Sequence, residues 1–378
     1  MKIIQNLFKK SSGWKSPLSN KGCEAAQLVL LFGSTEIIKD CHQFKEIQHG
    51  FPQAVIAGCS TAGEILSTEV HDDTLALTAV EFKNTKVKSA WTSVTGLKES
   101  FKAGQELAGS IPLEGLAHVF VLSDGLNVNG SDLVRGLAEK LPAHVMISGG
   151  LAGDGSNFKE TYICLQSEAR RNMVAIIGFY GHDLKVGCAS LGGWDPFGPQ
   201  RKVTKSEKNV LYELDGNSAL SLYKEYLGEQ AAGLPSTGLL FPLTIISEEN
   251  TKGVVRTILG VDEKEQSMIF AGDIPQGSHA QLMKANFDRL IDGAIGAANN
   301  SIKTIGQRGE LAILISCVGR KLILKQRVEE EIEGVRDVLG DKVLLTGFYS
   351  YGEISPFTPG AKCELHNQTM TITVFSES

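Results

Sequence analysis

The sequence predicts an α/β fold in which mixed β-sheets carry helices on their outer faces. It also predicts two pseudo-related halves built from repeated strand-helix-strand-turn units. Three observations carry this expectation. One unit recurs three times, its apolar runs have the length of buried strands, and the stretch between the second and third copies is β-rich.

The repeat is clearest in a glycine-acid turn. Gly58-Cys59-Ser60-Thr61-Ala62-Gly63-Glu64-Ile65 matches Gly347-Phe348-Tyr349-Ser350-Tyr351-Gly352-Glu353-Ile354 in both glycines, the glutamate and the isoleucine. A third copy, Ser148-Gly149-Gly150-Leu151-Ala152-Gly153-Asp154-Gly155, carries aspartate instead. Before each turn stands an apolar run (27–32, 118–123, 311–317) that reads as a strand. A helical stretch follows (35–50, 131–141, 324–339), with Ser131 and Asp132 as N-cap candidates and Gly50 and Gly340 as stops. A second apolar run (54–57, 144–147, 343–346) then enters the turn. A crossover of this kind favours parallel pairing of the two strands. The intervals between copies are unequal, which excludes a solenoid. Residues 270–275 resemble a degenerate fourth copy without an upstream partner.

Between the second and third copies, residues 161–165, 173–180 and 185–191 read as a meander, with Gly181-His182-Asp183 as a hairpin tip. A helix at 218–227, strands at 239–246, 253–259 and 267–270, and a long helix at 286–304 follow. The turn Asp215-Gly216-Asn217 gives the domain boundary. The expected organisation is a basic arm over 1–25, a first domain over 26–215 and a second over 216–378, with a shared sheet system across the boundary left open.

Composition narrows the function. The net charge of −6 disfavours nucleic-acid or anionic-membrane partners. Lys2, Lys9, Lys10, Lys15 and Lys21 precede the first acid, but no sustained apolar segment follows them. The arm therefore reads as a frayed, solubilising segment rather than a signal peptide or membrane anchor. Seven cysteines (23, 41, 59, 164, 188, 317 and 363) without regular spacing point to reduced thiols and a cytoplasmic setting, and no Cys-x-x-Cys pair suggests zinc.

Several ordered motifs resemble the FIST family. Gly-Cys-Ser-Thr-Ala-Gly-Glu (58–64), Ser-Asp-Gly-Leu-Asn (123–127) and Ser-Gly-Gly-Leu-Ala-Gly-Asp (148–154) resemble its N-terminal region. Gly-Gly-Trp-Asp-Pro-Phe-Gly (192–198), Tyr-Glu-Leu-Asp-Gly (212–216) and Ala-Leu-Ser-Leu-Tyr (219–223) resemble its junction. Tyr-Ser-Tyr-Gly-Glu-Ile-Ser-Pro (349–356) and Leu-His-Asn-Gln-Thr (365–369) resemble its C-terminal region. The resemblance runs from about residue 26 onward. It implies small-ligand sensing, with amino acids among the ligands. With no kinase, methyl-accepting, GGDEF-like or F-box segment attached, the chain resembles the standalone members. Those include haem b proteins that sense nitric oxide and regulate a partner histidine kinase or cyclic-di-GMP enzyme. Self-association is left open.

The candidate ligand-binding residues follow from the turns: Gly58, Ser60, Thr61, Gly63 and Glu64; Gly150, Gly153 and Asp154; and Tyr349, Ser350, Tyr351, Gly352 and Glu353. His366 and Asn367 join them from the Leu-His-Asn-Gln-Thr motif. Glycine at a strand end lets backbone approach a ligand, and a neighbouring carboxylate accepts an ammonium or braces a loop. The two roles weigh equally for Glu64 and Glu353. Among eight histidines, His366, His144 and His118 are the candidates for a haem axial ligand. Ser60, Cys59 or Ser350 with His366 as base is the remote hydrolase-type alternative, outside any Gly-x-Ser-x-Gly pattern. Trp194, Phe197, Phe348, Tyr349 and Tyr351 are aromatic candidates for a pocket wall or for the core.

Overall fold

The computed structural model describes residues 1–18, 22–40, 42–248, 251, 253–306, 308–358 and 360–377; Lys21 and Cys41 fall outside them. Each repeat forms two parallel strands joined by helix. The pairs are Leu28–Gly33 with Val55–Ser60, Leu116–Ser123 with Met146–Leu151, and Leu311–Cys317 with Leu344–Ser350. Gly58, Gly149 and Gly347 allow this close pairing. A Cβ at these positions would lie 1.9, 2.0 and 1.8 Å from the carbonyl oxygens of Leu31, Val121 and Leu314. The second unit's helix, Gly130–Lys140, is capped by Asn129, whose side chain accepts from the Ser131 and Asp132 amides. The two expected caps are thus the residues being capped, because the helix begins at Gly130.

After its turn the chain leaves its own sheet. Glu64–Leu66 pairs with Leu344–Ser350 of the third unit, Ile163–Leu165 with Val55–Ser60 of the first, and Gly352–Pro356 with Met146–Leu151 of the second. It then returns antiparallel to its own first strand as Thr74–Glu81, Met173–Tyr180 or Met370–Glu377. The first two units next pass a strand onward, Lys86–Ser93 onto Met173–Tyr180 and Leu184–Leu191 onto Met370–Glu377. In the first sheet that place is filled by Lys2–Lys9, paired along all eight residues with Thr74–Glu81.

The α/β class and mixed sheets are as expected, and the arrangement is more specific than two facing halves: three units share strands around a closed ring. Two local expectations change. The start of the chain is not a frayed arm but a sheet strand, because its register partner supplies a full ladder. Residues 181–183 do not tip a hairpin, because the strands they join lie in different sheets.

The wholly apolar strands are buried on both faces, as parallel pairs require. Leu28, Leu30 and Phe32, with Phe120, Leu122, Ile313 and Ile315, face a shared core inside the ring, where Phe32 and Phe348 lie 4.7 Å apart. Val29 and Leu31 face the helices of the first unit instead. Between Leu184–Leu191 and the helix Phe287–Ile305 the chain inserts an eight-stranded sheet with its own core around Leu211, Met268 and Phe270. Asp195–Glu207 and Val210–Leu214 share this sheet with strands beyond residue 216. Phe270 ends a strand of this sheet and 271–275 follow it as a loop, so these residues are not a fourth ring unit. No helix of the described residues is long and apolar enough to cross a membrane.

Candidate functional site

The three turns meet at the centre of the ring. The Ala62 amide donates to the Tyr349 carbonyl at 2.8 Å, the Gly153 amide to Ser60 at 2.9 Å, and the Tyr351 amide to Leu151 at 3.2 Å. The donors hold equivalent positions in the repeat, as do the acceptors, so the three bonds form one cycle from first to third to second unit.

Beside this centre, between the first and second turns, lies an open cavity of about 570 Å³. Thr61, Gly63 and Glu64 wall one side, and Asp154 and Gly155 the other; Thr35, Glu36, Asp72, Asp73, Asn157, Lys159 and Glu160 complete it. Gly63 is required twice over. Its φ is +139°, and a Cβ would fall 2.3 Å from Lys321 Nζ. That ammonium donates to the Ala62 carbonyl at 2.9 Å and pairs with Asp72. The close approach at this glycine is therefore to a lysine of the third unit.

Glu64 is 1% exposed. Its carboxylate accepts the Thr61 hydroxyl at 2.6 Å, the Thr74 hydroxyl at 2.6 Å and the Thr74 amide at 3.2 Å. Burial outweighs these bonds and raises its carboxyl to about 7. Glu353 repeats the pattern with the Ser350 hydroxyl at 2.6 Å, the Thr369 hydroxyl at 2.9 Å and the Thr369 amide at 3.2 Å, and burial raises it to about 8. Both glutamates therefore brace the start of a returning strand, and Glu64 alone of the two lines the cavity.

In the second unit Gly155 takes the glutamate's place, and Asp124 assumes the bracing role. It accepts the Thr161 hydroxyl at 2.9 Å and the Asn172 amide at 3.2 Å. Asp124 was absent from the candidates, although its Ser-Asp-Gly motif marked the position. Asp154 accepts the amides of Phe158, Lys159 and Glu160 at 2.8, 2.8 and 3.0 Å, and the Tyr351 hydroxyl.

The remaining candidates are core groups. Ser60 Oγ accepts the Tyr162 amide at 2.9 Å, and Gly150 pairs in register with Glu353. The Tyr349 hydroxyl donates to Glu331 at 2.7 Å. Glu331 also binds Arg320 at 2.7 Å in a wholly buried ion pair. Nothing in the sequence distinguished that pair from solvated helix charges. Trp194 is buried and donates to the Gln368 carbonyl at 2.9 Å, and Phe197 is exposed. Asn367 is fully buried, and its side-chain amide lacks a partner among the described residues.

The haem candidates are dispersed. His118 Nε2 is 3.0 Å from Ser148 Oγ, and the ring packs 5.5 and 5.8 Å from Phe375 and Phe179. His366 Nε2 bonds to the Ser355 carbonyl at 2.9 Å, with Phe357 at 5.7 Å. Burial lowers these imidazoles to about 3 and about 4 respectively. His118 Nδ1 has no partner among the described residues, but both rings are sealed in the core, which leaves no haem-sized space beside either of them. His144 is exposed on a turn, and its neighbours Ala143 and Val145 line a groove of about 610 Å³. His366 is not joined to Ser60, Cys59 or Ser350 as a base: Ser60 and Ser350 bond to other groups, and Cys59 is sealed in the core.

Comparison with known proteins gives two family matches, the FIST N domain over residues 27–217 and the FIST C domain over 219–356. Protein MJ1623 of Methanocaldococcus jannaschii, itself uncharacterised, is 24% identical over 360 residues, covering 87% of this chain and 66% of that protein. The chain thus spans just under two thirds of that relative. Among solved structures, a cyanuric acid hydrolase aligns over 100% of this chain and 99% of its own, at 10% identity and a TM-score of 0.34. The cyanuric acid hydrolase of A. caulinodans aligns over 78% and 99%, at 11% identity and a TM-score of 0.19. Scores this low carry no argument about fold or activity.

Proposed function

The chain belongs to the FIST family of small-ligand sensor domains, and from that premise we propose that its ligand carries an ammonium group and binds between the first and second turns. The observation that carries this reading is the cavity's charge. Six carboxylates line it (Glu36, Glu64, Asp72, Asp73, Asp154 and Glu160) against one lysine, Lys159. Four of them are engaged with protein groups, whereas Glu36 and Asp73 have no partner among the described residues. The buried Thr35 hydroxyl, also in the wall, is unpartnered too. An amino acid or other amine-bearing metabolite would meet two free carboxylates there. Binding would signal to a separate partner by favouring one arrangement of the loops that carry these groups.

A thermal-shift screen of amino acids, diamines and uncharged analogues tests the proposal. Saturable stabilisation by cationic members, lost in the Glu36→Gln/Asp73→Asn double variant, is expected. Equal stabilisation by uncharged analogues would sink it.

Haem-based nitric oxide sensing, acting on a histidine kinase or cyclic-di-GMP enzyme, is a second reading. It rests on the family resemblance and on the place of His144 beside a groove. An absorbance titration with haem separates the two readings. This second one requires a Soret band that survives His118→Ala and disappears in His144→Ala. The hydrolase-type alternative has no supporting geometry, since Ser60 and His366 are bonded to different groups.

A further inference from the structure

The repeat places a second cavity at the junction of the second and third turns, where Gly125 and Leu126 hold the positions of Thr35 and Glu36. Its chemistry is opposite to that of the first. It has a volume of about 260 Å³, no charged residue lines it, and Leu126, Val128, Leu151, Phe158 and Tyr351 supply its ring-side wall. Phe158 stacks on Tyr351 with ring centroids 4.3 Å apart and planes 13° from parallel, which presents aromatic surface to the space. The inserted sheet closes the far side and leaves Leu259 and Ile269 each 38% exposed at the rim. At the remaining junction Lys321 Nζ lies against Gly63.

We infer that this second cavity binds an uncharged planar aromatic molecule of one or two fused rings, and that its occupancy is transmitted to the first cavity through the loop 154–160. The size argues for the ligand class: an apolar cavity of about 150 Å³ accepts benzene, and this one is larger. The aromatic pair and the absence of charge argue for a flat, neutral occupant. The connection is covalent and hydrogen-bonded. Phe158 lines the second cavity while Asn157, Lys159 and Glu160 line the first. Asp154 gathers the amides of 158, 159 and 160 and is itself held by the Tyr351 hydroxyl. A ring set against Phe158 and Tyr351 therefore acts on the segment that carries two walls of the first site. The binding claim goes beyond the function proposed above and does not depend on it.

Titration with 5-fluoroindole, followed by fluorine NMR, tests the binding. One saturable site is expected. Its affinity should fall at least tenfold both in Leu259→Lys, which charges an exposed rim position, and in Ala271→Trp, which adds bulk at a residue lining the cavity. It should be unchanged in Glu36→Gln/Asp73→Asn, so failure of the first site leaves this result standing. Absence of saturable binding, or wild-type affinity in both Leu259→Lys and Ala271→Trp, overturns the site. Hydrogen exchange over residues 157–160 tests the transmission without any first-site ligand. Indole should slow exchange there at least fivefold in the wild type. It should leave exchange unchanged in Tyr351→Phe, which keeps the ring and removes the hydroxyl. Unaltered exchange in the wild type, or equal slowing in the variant, overturns the transmission.

Discussion

Glu64 and Glu353 hold the same place in two of the three units and brace a returning strand through the same three kinds of bond, yet only Glu64 borders the acidic cavity. The repeat supplies the scaffold role twice, and the surroundings decide which of the two carboxylates also borders a cavity. Several outcomes follow from this division.

For Glu64 the sign of the pH effect is fixed. Its carboxyl is raised to about 7, so it is largely protonated at pH 6 and largely ionised at pH 8. A cationic ligand favours the ionised form, so its affinity should rise across this window, and Glu64→Gln should flatten the rise. Calorimetric titration at pH 6, 7 and 8 checks it; identical slopes in wild type and variant would remove Glu64 from the binding event.

Glu353 should register in stability rather than binding. The folded protein keeps its proton up to about 8, while an unfolded glutamate releases it near ~4.3. The folded state therefore gains stability that is fully present below ~4.3 and is lost as pH rises through about 8. Denaturant midpoints between pH 5 and 9 should decline less steeply in Glu353→Gln than in the wild type. Parallel curves would contradict this assignment.

Gly347→Ala should cost more than ~2 kcal/mol, because the new methyl would lie 1.8 Å from the Leu314 carbonyl oxygen and the strands must part to admit it. Gly58→Ala and Gly149→Ala should behave alike. Gly109→Ala, where nothing lies within 4 Å, should be no less stable than the wild type. Chemical denaturation of the four variants makes the comparison.

The pair Arg320–Glu331 is buried completely, and Glu331 also accepts Tyr349 and Ser316 at 2.7 and 3.1 Å. Arg320→Met leaves a buried charge behind and should cost ~3–5 kcal/mol. The double variant Arg320→Met/Glu331→Gln should recover part of that loss. A double variant no better than the single one would show that the guanidinium's bonds to Gly192 and Leu290 matter more than the pair.

Much of this was legible in the sequence because it is local. The apolar runs, their helices and the glycine turns report on φ, ψ and burial at nearby positions, and the three copies declared themselves by the residues their turns share. The ring was not legible. Glu64–Leu66 carries no mark saying that its partner is Leu344–Ser350, nearly three hundred residues away, rather than a neighbour. The same limit made 181–183 read as a hairpin, since a short link between two strands looks alike whether they share a sheet or exchange sheets. At the site, the turns were visible but the groups that complete the cavity were not. Glu36, Asp72 and Asp73 lie in no motif that would single them out, and the approach of Lys321 to Gly63 is set by the third unit's helix.

The Lys2–Lys9 strand gives the molecule a property of order. Glu310 accepts the Met1 ammonium at 2.7 Å on one oxygen and the Glu377 amide at 2.8 Å on the other. The two ends of the described chain thus meet at one carboxylate, where the other units run on through the short links 82–85 and 181–183. The linear order is one of several that the same pairings accommodate. Joining residues 377 and 2 by a link of that length and reopening the chain at 82–85 would yield a circular permutant with every sheet intact, its breakpoint moved from one seam of the ring to the next.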